Sequence, residues 1–92
     1  MDCIFTTRAE DDLENIADYI AVDNPKRAVS FVQEIRNRCQ RIANAPQGYA
    51  LAPEYGKNIR KVPYGNYLIW YTVHEGNIVI LHIPHGARDI HY

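Results

Sequence analysis

Two helical stripes separated by a short break constrain the fold of this chain more than any other feature. Apolar residues recur at helical spacing on each side of Asn24-Pro25, which predicts one helix ending near Val22 and another limited by Pro46. Asn24 suits the N-cap and Pro25 the first helical position of the second helix. Two helices joined by so short a link predict an antiparallel hairpin. The stripes are Ala9, Leu13, Ile16, Ala17 and Ile20, then Ala28, Phe31, Val32, Ile35, Cys39 and Ile42.

The start of the first helix carries its own signal. Thr7-Arg8-Ala9-Glu10 matches a capping box, which predicts Thr7 as the residue whose side chain caps the helix. The short apolar segment Ile4-Phe5 before it predicts an N-terminal strand.

The second half of the chain changes to strand patterns. A loop rich in Gly, Pro and Tyr is followed by three β-rich runs with tight turns between them, and Pro63 must lie at a strand end or on a sheet edge. The sequence therefore predicts one α+β domain over residues 1–92. It consists of an N-terminal strand, an antiparallel helix hairpin and a three-stranded antiparallel meander. The loop spans residues 47–57 and the runs span 58–63, 67–73 and 78–83.

Both faces of the predicted sheet are apolar. The run at 67–73 places Tyr67, Ile69, Tyr71 and Val73 on one face, and Leu68, Trp70 and Thr72 on the other. One helix hairpin covers only one face of a sheet, so something else should cover the second. Two covers remain open at this point. The loop 47–57 and the C-terminal tail fold over it, or a protein partner binds there, which suits a strand rich in aromatic residues.

Charge is distributed unevenly, although the 92 residues carry a net charge of only −1. Residues 1–25 hold one cation and seven acids, whereas residues 26–61 hold eight cations and two acids. Domains that bind nucleic acid are usually strongly basic, so any basic function must come from a local patch. The alternative is a solvated helix pair with opposite charges on neighbouring faces.

Other features exclude several classes. The chain has no apolar run of about 20 residues and no N-terminal secretory signal, so neither a membrane span nor export is expected. Its two cysteines form no CxxC motif, which predicts reduced thiols in a cytoplasmic protein. Its histidines lack the paired spacing of zinc sites, so neither a metal nor another cofactor is expected. These histidines are His74, His82, His85 and His91.

Several segments resemble ParE-type toxins of the RelE/ParE superfamily. They are residues 9–20 (AEDDLENIADYI) with the Asn24-Pro25 break, Ile59-Arg60-Lys61, residues 64–71 (YGNYLIWY) and residues 85–89 (HGARD). The resemblance implies the toxin of a bacterial type II toxin–antitoxin pair. It also implies a ParD-like antitoxin that wraps the toxin with an otherwise disordered segment and so covers the second sheet face. The antitoxin-binding residues expected on this basis are Tyr67, Trp70, Tyr71 and Leu81.

The superfamily implies two activities, and both remain open at this stage. The RelE-like branch cleaves mRNA at the ribosome, whereas the ParE-like branch inhibits DNA gyrase. Metal-free RNA cleavage needs a base, an acid and cations around one phosphate. The residues available for it are Arg60, Lys61 and Arg88 as cations, His85 or His91 for proton transfer, and Tyr92 as a positioning or protonating group.

Two observations favour gyrase inhibition over RNA cleavage. A chain with net charge −1 binds a dense phosphate surface poorly, and neighbouring strand residues such as Arg60 and Lys61 point to opposite faces. Inhibition by binding requires no catalytic residue and no sequence-specific binding of nucleic acid. The target-binding surface is then expected at His85, Arg88 and Tyr92, together with the exposed side of the helix hairpin. A third interpretation is a partner-binding module of the same fold without toxicity.

Overall fold

The computed structural model describes residues 2–86, and its elements follow the predicted order. A strand leads into a helix pair, which is followed by three strands, so the predicted α+β layout is confirmed. The elements are β1 (Cys3–Phe5), α1 (Thr7–Ala21), α2 (Pro25–Ile42), β2 (Arg60–Tyr64), β3 (Tyr67–His74) and β4 (Asn77–His82).

The helix boundaries confirm one predicted cap and correct another. The Asn24 side chain accepts a hydrogen bond from the Arg27 backbone N–H at 3.1 Å, as expected for the N-cap before Pro25. The predicted capping box at Thr7 is wrong by one residue. Thr6 is the cap of α1, and its side chain accepts from Ala9 N at 3.1 Å. The same hydroxyl donates to Leu81 O at 3.0 Å, so contact with the sheet helps to fix the cap at Thr6.

The four strands form one sheet in the order β1-β4-β3-β2. The β2-β3 and β3-β4 pairs are antiparallel, which confirms the meander, and β1 pairs with β4 in parallel. Pro63 lies on the edge strand β2, as its missing N–H requires. This strand starts two residues later than predicted, because Asn58 has a φ of 63° and belongs to a turn.

A bulge interrupts the pairing of β3 and β4. Tyr71 lies opposite Ile80 but Trp70 lies opposite His82, so Leu81 is the extra residue on β4. Beyond the bulge, Leu68 N donates to Pro84 O at 2.9 Å and Gly86 N donates to Asn66 O at 2.8 Å. The segment after β4 therefore continues along the first half of β3.

The core lies between the hairpin and one face of the sheet. Both helices bury their predicted stripes against alternate residues of the strands. Cys39 is buried and Cys3 half-buried, both as free thiols, and burial raises the pKa of Cys39 to about 12. The fully buried large side chains include Ile35, Ile42, Val62, Ile69, Tyr71, Ile78, Ile80 and Ile83.

Candidate functional site

The face of the sheet that points away from the helices is the candidate functional site, called the outer face below. Its side chains are partly exposed, whereas those that alternate with them on β3 and β4 are buried in the core. Ile4 extends the same apolar surface onto β1 and is 47% exposed. The outer face consists of Ile4, Leu68, Trp70, Thr72, Val79 and Leu81.

Among the described residues, the loop 47–57 covers the corner of this outer face at Trp70, and Thr72 donates to the Asn58 backbone oxygen at 2.9 Å. The Tyr55 ring stacks on Trp70 with centroids 3.9 Å apart and planes 18° apart. The Lys61 ammonium lies 5.8 Å from the Tyr55 centroid and 3.2 Å from a carboxylate oxygen of Glu54, which holds the ring in place. The predicted cover by the loop 47–57 is therefore present at Trp70, whereas the C-terminal tail from residue 87 onwards lies outside the described residues. The side chains of the outer face all keep some accessible surface.

The Trp70 corner contains an unsatisfied donor. The indole Nε1 is buried and has no hydrogen-bond partner among the described residues. The ring also meets His82 edge-on, with centroids 4.9 Å apart. A buried donor without an acceptor costs about 1–3 kcal/mol, so this corner of the outer face is less stable than one with a satisfied donor.

A polar cluster beside Trp70 was not predicted from the sequence. His82 Nδ1 lies 2.5 Å from Asp12 Oδ2, and the same oxygen accepts from Ile83 N at 2.8 Å. Arg8 Nη2 lies 3.1 Å from His82 Nε2. A guanidinium only donates, so Nε2 accepts and Nδ1 donates its proton to Asp12. This cluster links α1 to the end of β4. Its partners are 70 or more residues apart in the sequence, so no short-range sequence pattern could have predicted it.

The structure divides the four residues expected to bind an antitoxin. Trp70 and Leu81 lie on the outer face, where a partner has access. Tyr67 and Tyr71 face the helices and are buried. The Tyr71 hydroxyl donates to Pro46 O, and burial raises its pKa. A bound partner contacts only accessible side chains. Of the four predicted residues, therefore, only Trp70 and Leu81 remain candidates for contact with an antitoxin.

The residues predicted for RNA cleavage that lie within residues 2–86 do not come together around one point. Arg60 lies opposite Tyr71 and donates to Tyr49 O and Gln47 Oε1, whereas Lys61 lies opposite Trp70 on the outer face. These two residues therefore point to opposite faces, as predicted. His85 pairs with Tyr67, which precedes Tyr71 by four residues on β3, a distance of about 13 Å at the rise of a strand. Arg88, His91 and Tyr92 lie outside the described residues.

Most cations of the basic middle segment are engaged in local contacts. Arg27 forms an ion pair with Glu34, and this contact together with a hydrogen bond from Tyr64 lowers the pKa of that carboxyl. Arg36 pairs with Glu10 across the hairpin at 2.8 Å. Five of the eight cations have such partners, namely Arg27, Arg36, Arg38, Arg60 and Lys61. The pattern agrees with a solvated helix pair better than with a patch that binds phosphates.

Within residues 2–86, no group of three or more His, Cys, Asp or Glu side chains is arranged to hold a metal ion. None of the helices in this part of the chain is long and apolar enough to cross a membrane.

The comparison with known families identifies this fold. A family model described as the ParE toxin of the type II toxin–antitoxin system, parDE, matches residues 3–90. The chain belongs to this family. None of the curated proteins compared with it matches. A solved structure from a chromosomal ParDE toxin–antitoxin system of P. aeruginosa is similar in fold, with a TM-score of 0.79 and 24% identity. The match covers 92% of this chain and 95% of that one.

Family membership assigns the general role of the chain. It is a toxin of the type II toxin–antitoxin class, and the family implies an antitoxin as its partner. The expected resemblance to ParE toxins is thereby confirmed.

Proposed function

We propose that this protein inhibits DNA gyrase by binding to it and that its cognate antitoxin neutralises it in the cytoplasm. The observation that carries the proposal is the ParE family match over residues 3–90, because gyrase is the target that this branch of the superfamily implies. Inhibition by binding requires no catalytic group in the toxin.

The electrostatics support a protein target over ribosome-bound RNA. The net charge is −1 and five of the eight cations in the basic segment already have local partners. Arg60, Lys61 and His85 are directed to different neighbours, so these three candidates do not surround one phosphate. The target-binding surface is proposed at His85 together with Arg88 and Tyr92.

The antitoxin is proposed to bind the outer face of the sheet. Trp70 and Leu81 supply accessible apolar surface there, and aromatic residues are enriched at the centres of protein interfaces. Binding that displaces Tyr55 would release the buried indole N–H to an acceptor of the partner, and so remove an unfavourable feature of the free toxin.

A supercoiling assay tests the proposed activity. Purified toxin incubated with gyrase, ATP and relaxed plasmid should reduce supercoiling or leave cleaved DNA, and equimolar antitoxin should restore supercoiling. Replacing His85 by alanine should weaken inhibition, whereas His74→Ala, an exposed histidine at the opposite end of β3, serves as the matched control. Full supercoiling at saturating toxin would contradict the proposal. New 5′ ends within translated codons after induction, mapped by primer extension, would favour RNA cleavage instead.

A further inference from the structure

A cavity of about 330 Å³ lies between α1 and the segment that follows β4, and we call it the α1 cavity. Four residues at i, i+3, i+4 and i+7 form its helical wall, so they lie on one face of α1. They are Asp12, Asn15, Ile16 and Tyr19. The opposite wall is formed by Tyr67 and residues 83–85. This volume lies at the lower end of the range for binding sites of small ligands, so the cavity suits one side chain better than a helix.

The wall opposite α1 is held in place by backbone hydrogen bonds. Pro84 O accepts from the first half of β3 at 2.9 Å, and Gly86 N donates to the turn before β3 at 2.8 Å. The His85 ring between them meets the Tyr67 ring edge-on, with centroids 5.2 Å apart. Asp12 on the helical wall accepts from the backbone N–H just after β4 at 2.8 Å. Both walls are therefore fixed before any ligand binds, which lowers the entropic cost of binding.

Two polar groups that line the α1 cavity lack partners. The Nδ1 atom of His85 is buried and has no hydrogen-bond partner among the described residues. Asp12 Oδ2 contacts His82 and the backbone, whereas Oδ1 makes no hydrogen bond within residues 2–86. A neutral imidazole with its proton on Nε2 presents Nδ1 as an acceptor. A ligand that donates several hydrogen bonds therefore finds unused acceptors here.

The charge of the lining favours a cation. Asp12 contributes a carboxylate, and no lysine or arginine lines the cavity among the described residues. Arg8, one helical turn earlier, contacts His82 instead, at 3.1 Å. The last turn of α1, where Tyr19 lies, holds no basic residue, so the negative end of the helix dipole is not compensated. Aromatic rings such as those of Tyr19 and Tyr67 also attract cations. An anion would be repelled by Asp12, and an apolar group would leave the polar atoms unpaired.

We propose that the α1 cavity binds one arginine or lysine side chain of the protein target of this toxin. Arginine matches it best, because a planar guanidinium donates to several acceptors and stacks on aromatic rings. Its charge would face Asp12, and one N–H would satisfy His85 Nδ1. The inference rests on the proposed function, which places the target at His85, and it names the chemical group that this surface recognises.

A charge series at Asn15 tests this inference by inhibition of gyrase. Asn15 is exposed and lines the cavity, so Asn15→Lys adds a cation beside the site and Asn15→Asp adds a second carboxylate. Asn37→Lys makes the same change at an exposed position of α2 outside the cavity. We expect the toxin concentration for half-inhibition of supercoiling to rise about 10-fold for Asn15→Lys and to fall about 2-fold for Asn15→Asp. Asn37→Lys should change it less than about 2-fold, and added salt should shrink the effects.

A small cationic probe tests the cavity without gyrase. The probe is N-acetyl-arginine amide, and N-acetyl-citrulline amide is a neutral control of nearly the same shape. In ¹H–¹⁵N NMR spectra of the purified toxin, the arginine probe should shift the signals of Asn15 and His85 when titrated into the millimolar range. The citrulline probe should shift them much less, and Asn15→Lys should abolish the response to arginine.

The outcomes separate this inference from the proposed function. If the wild-type toxin leaves supercoiling unaffected while the arginine probe shifts the cavity signals, gyrase inhibition fails and the cavity assignment stands. If the toxin inhibits gyrase but the two lysine variants behave alike, or if the two probes give equal shifts, the inference is overturned. Thermal melting should be close to wild type because both positions are exposed, and Asn15→Asp still tests the inference if Asn15→Lys melts early.

Two further results would assign the α1 cavity to another occupant and so overturn the inference. Binding of the arginine probe only after Arg88→Ala would show that a side chain of this chain occupies the cavity. Weaker antitoxin binding by Asn15→Lys, with unchanged inhibition of gyrase, would assign the cavity to the antitoxin.

Discussion

The two faces of the sheet are built from the same strands but differ in how much of their apolar surface the rest of the fold buries. Ile69, Tyr71, Ile78 and Ile80 point towards the helices and are fully buried. Their neighbours along the same strands point outwards and keep accessible surface, with Tyr55 covering one corner. Apolar surface on the inner side stabilises the fold, whereas apolar surface on the outer side contributes most when a partner removes it from water. Hydrophobic content alone therefore says little about which residues hold the fold together.

The contrast is sharpest at two neighbours on β4. Ile80→Ala should destabilise the protein by about 3 kcal/mol, because it leaves a cavity in a packed core. Leu81→Ala removes the same number of carbon atoms from the outer face and should cost about 1 kcal/mol. Urea denaturation of the two variants measures the difference. The loss of antitoxin affinity should show the opposite order. When only folded protein is compared, Leu81→Ala should bind the antitoxin more weakly than Ile80→Ala. Equal losses of stability would contradict the distinction between the faces.

The next largest effect is expected where the two faces meet. Asp12 accepts from Ile83 N and contacts His82, so Asp12→Ala leaves a backbone donor and a half-buried imidazole without their acceptor. We expect a loss of about 2 kcal/mol in the free energy of unfolding. Asp11→Ala, on the exposed side of the same helix turn, should change it by less than about 0.5 kcal/mol. If both variants unfold at the same urea concentration, the Asp12 cluster does not hold α1 to β4.

The corrected helix cap gives a smaller effect. Thr6 caps α1 and also donates to Leu81 O, so Thr6→Ala should destabilise the protein by about 1–2 kcal/mol. Thr7 is the first helical residue and is exposed, and Thr7→Ala should be nearly neutral. Thermal melting separates the two variants. A larger loss of stability for Thr7→Ala than for Thr6→Ala would contradict this assignment and favour Thr7 as the N-cap.

The smallest predicted effect is a pH dependence of the free energy of unfolding, which arises because Cys39 is buried in the core. Burial raises the pKa of Cys39 from its ordinary value of 9.0 to about 12. The folded state therefore holds a proton that the unfolded state releases above pH 9. The stability that this provides is complete below pH 9 and is lost as pH rises towards 12, by about 1 kcal/mol at pH 10. Cys39→Ala lowers stability at neutral pH by leaving a small cavity, but its stability should fall less steeply between pH 8 and 10. Parallel curves from urea denaturation would contradict this account.

The sequence predicts the fold well because its strongest signals are local. Two helical stripes, the Asn24-Pro25 break and the tight turns between the strands each depend on residues within a few positions of one another. Their order was enough to predict the hairpin and the meander. The error at Thr7 arose because Thr6 is stabilised by Leu81, a contact between residues far apart in the chain.

The candidate site was less accessible to sequence reasoning. The alternation of side chains along β3 correctly places Trp70 and Tyr71 on opposite faces of the sheet. It does not indicate which face the helices cover. The predicted antitoxin-binding set therefore contains both the accessible Trp70 and the buried Tyr71. The cluster of Arg8, Asp12 and His82 joins the two ends of the chain and has no pattern in the sequence.

We propose that an antitoxin covers the outer face of the sheet, including the corner at Trp70. Trp70 is the only tryptophan of the chain, so toxin labelled with 5-fluorotryptophan gives a single ¹⁹F NMR signal from this face. Titration with unlabelled antitoxin should shift that signal and protect it from solvent-induced changes in H₂O and D₂O, with saturation at the stoichiometry of the complex. An unchanged signal in a sample that gel filtration identifies as the intact complex would contradict the claim.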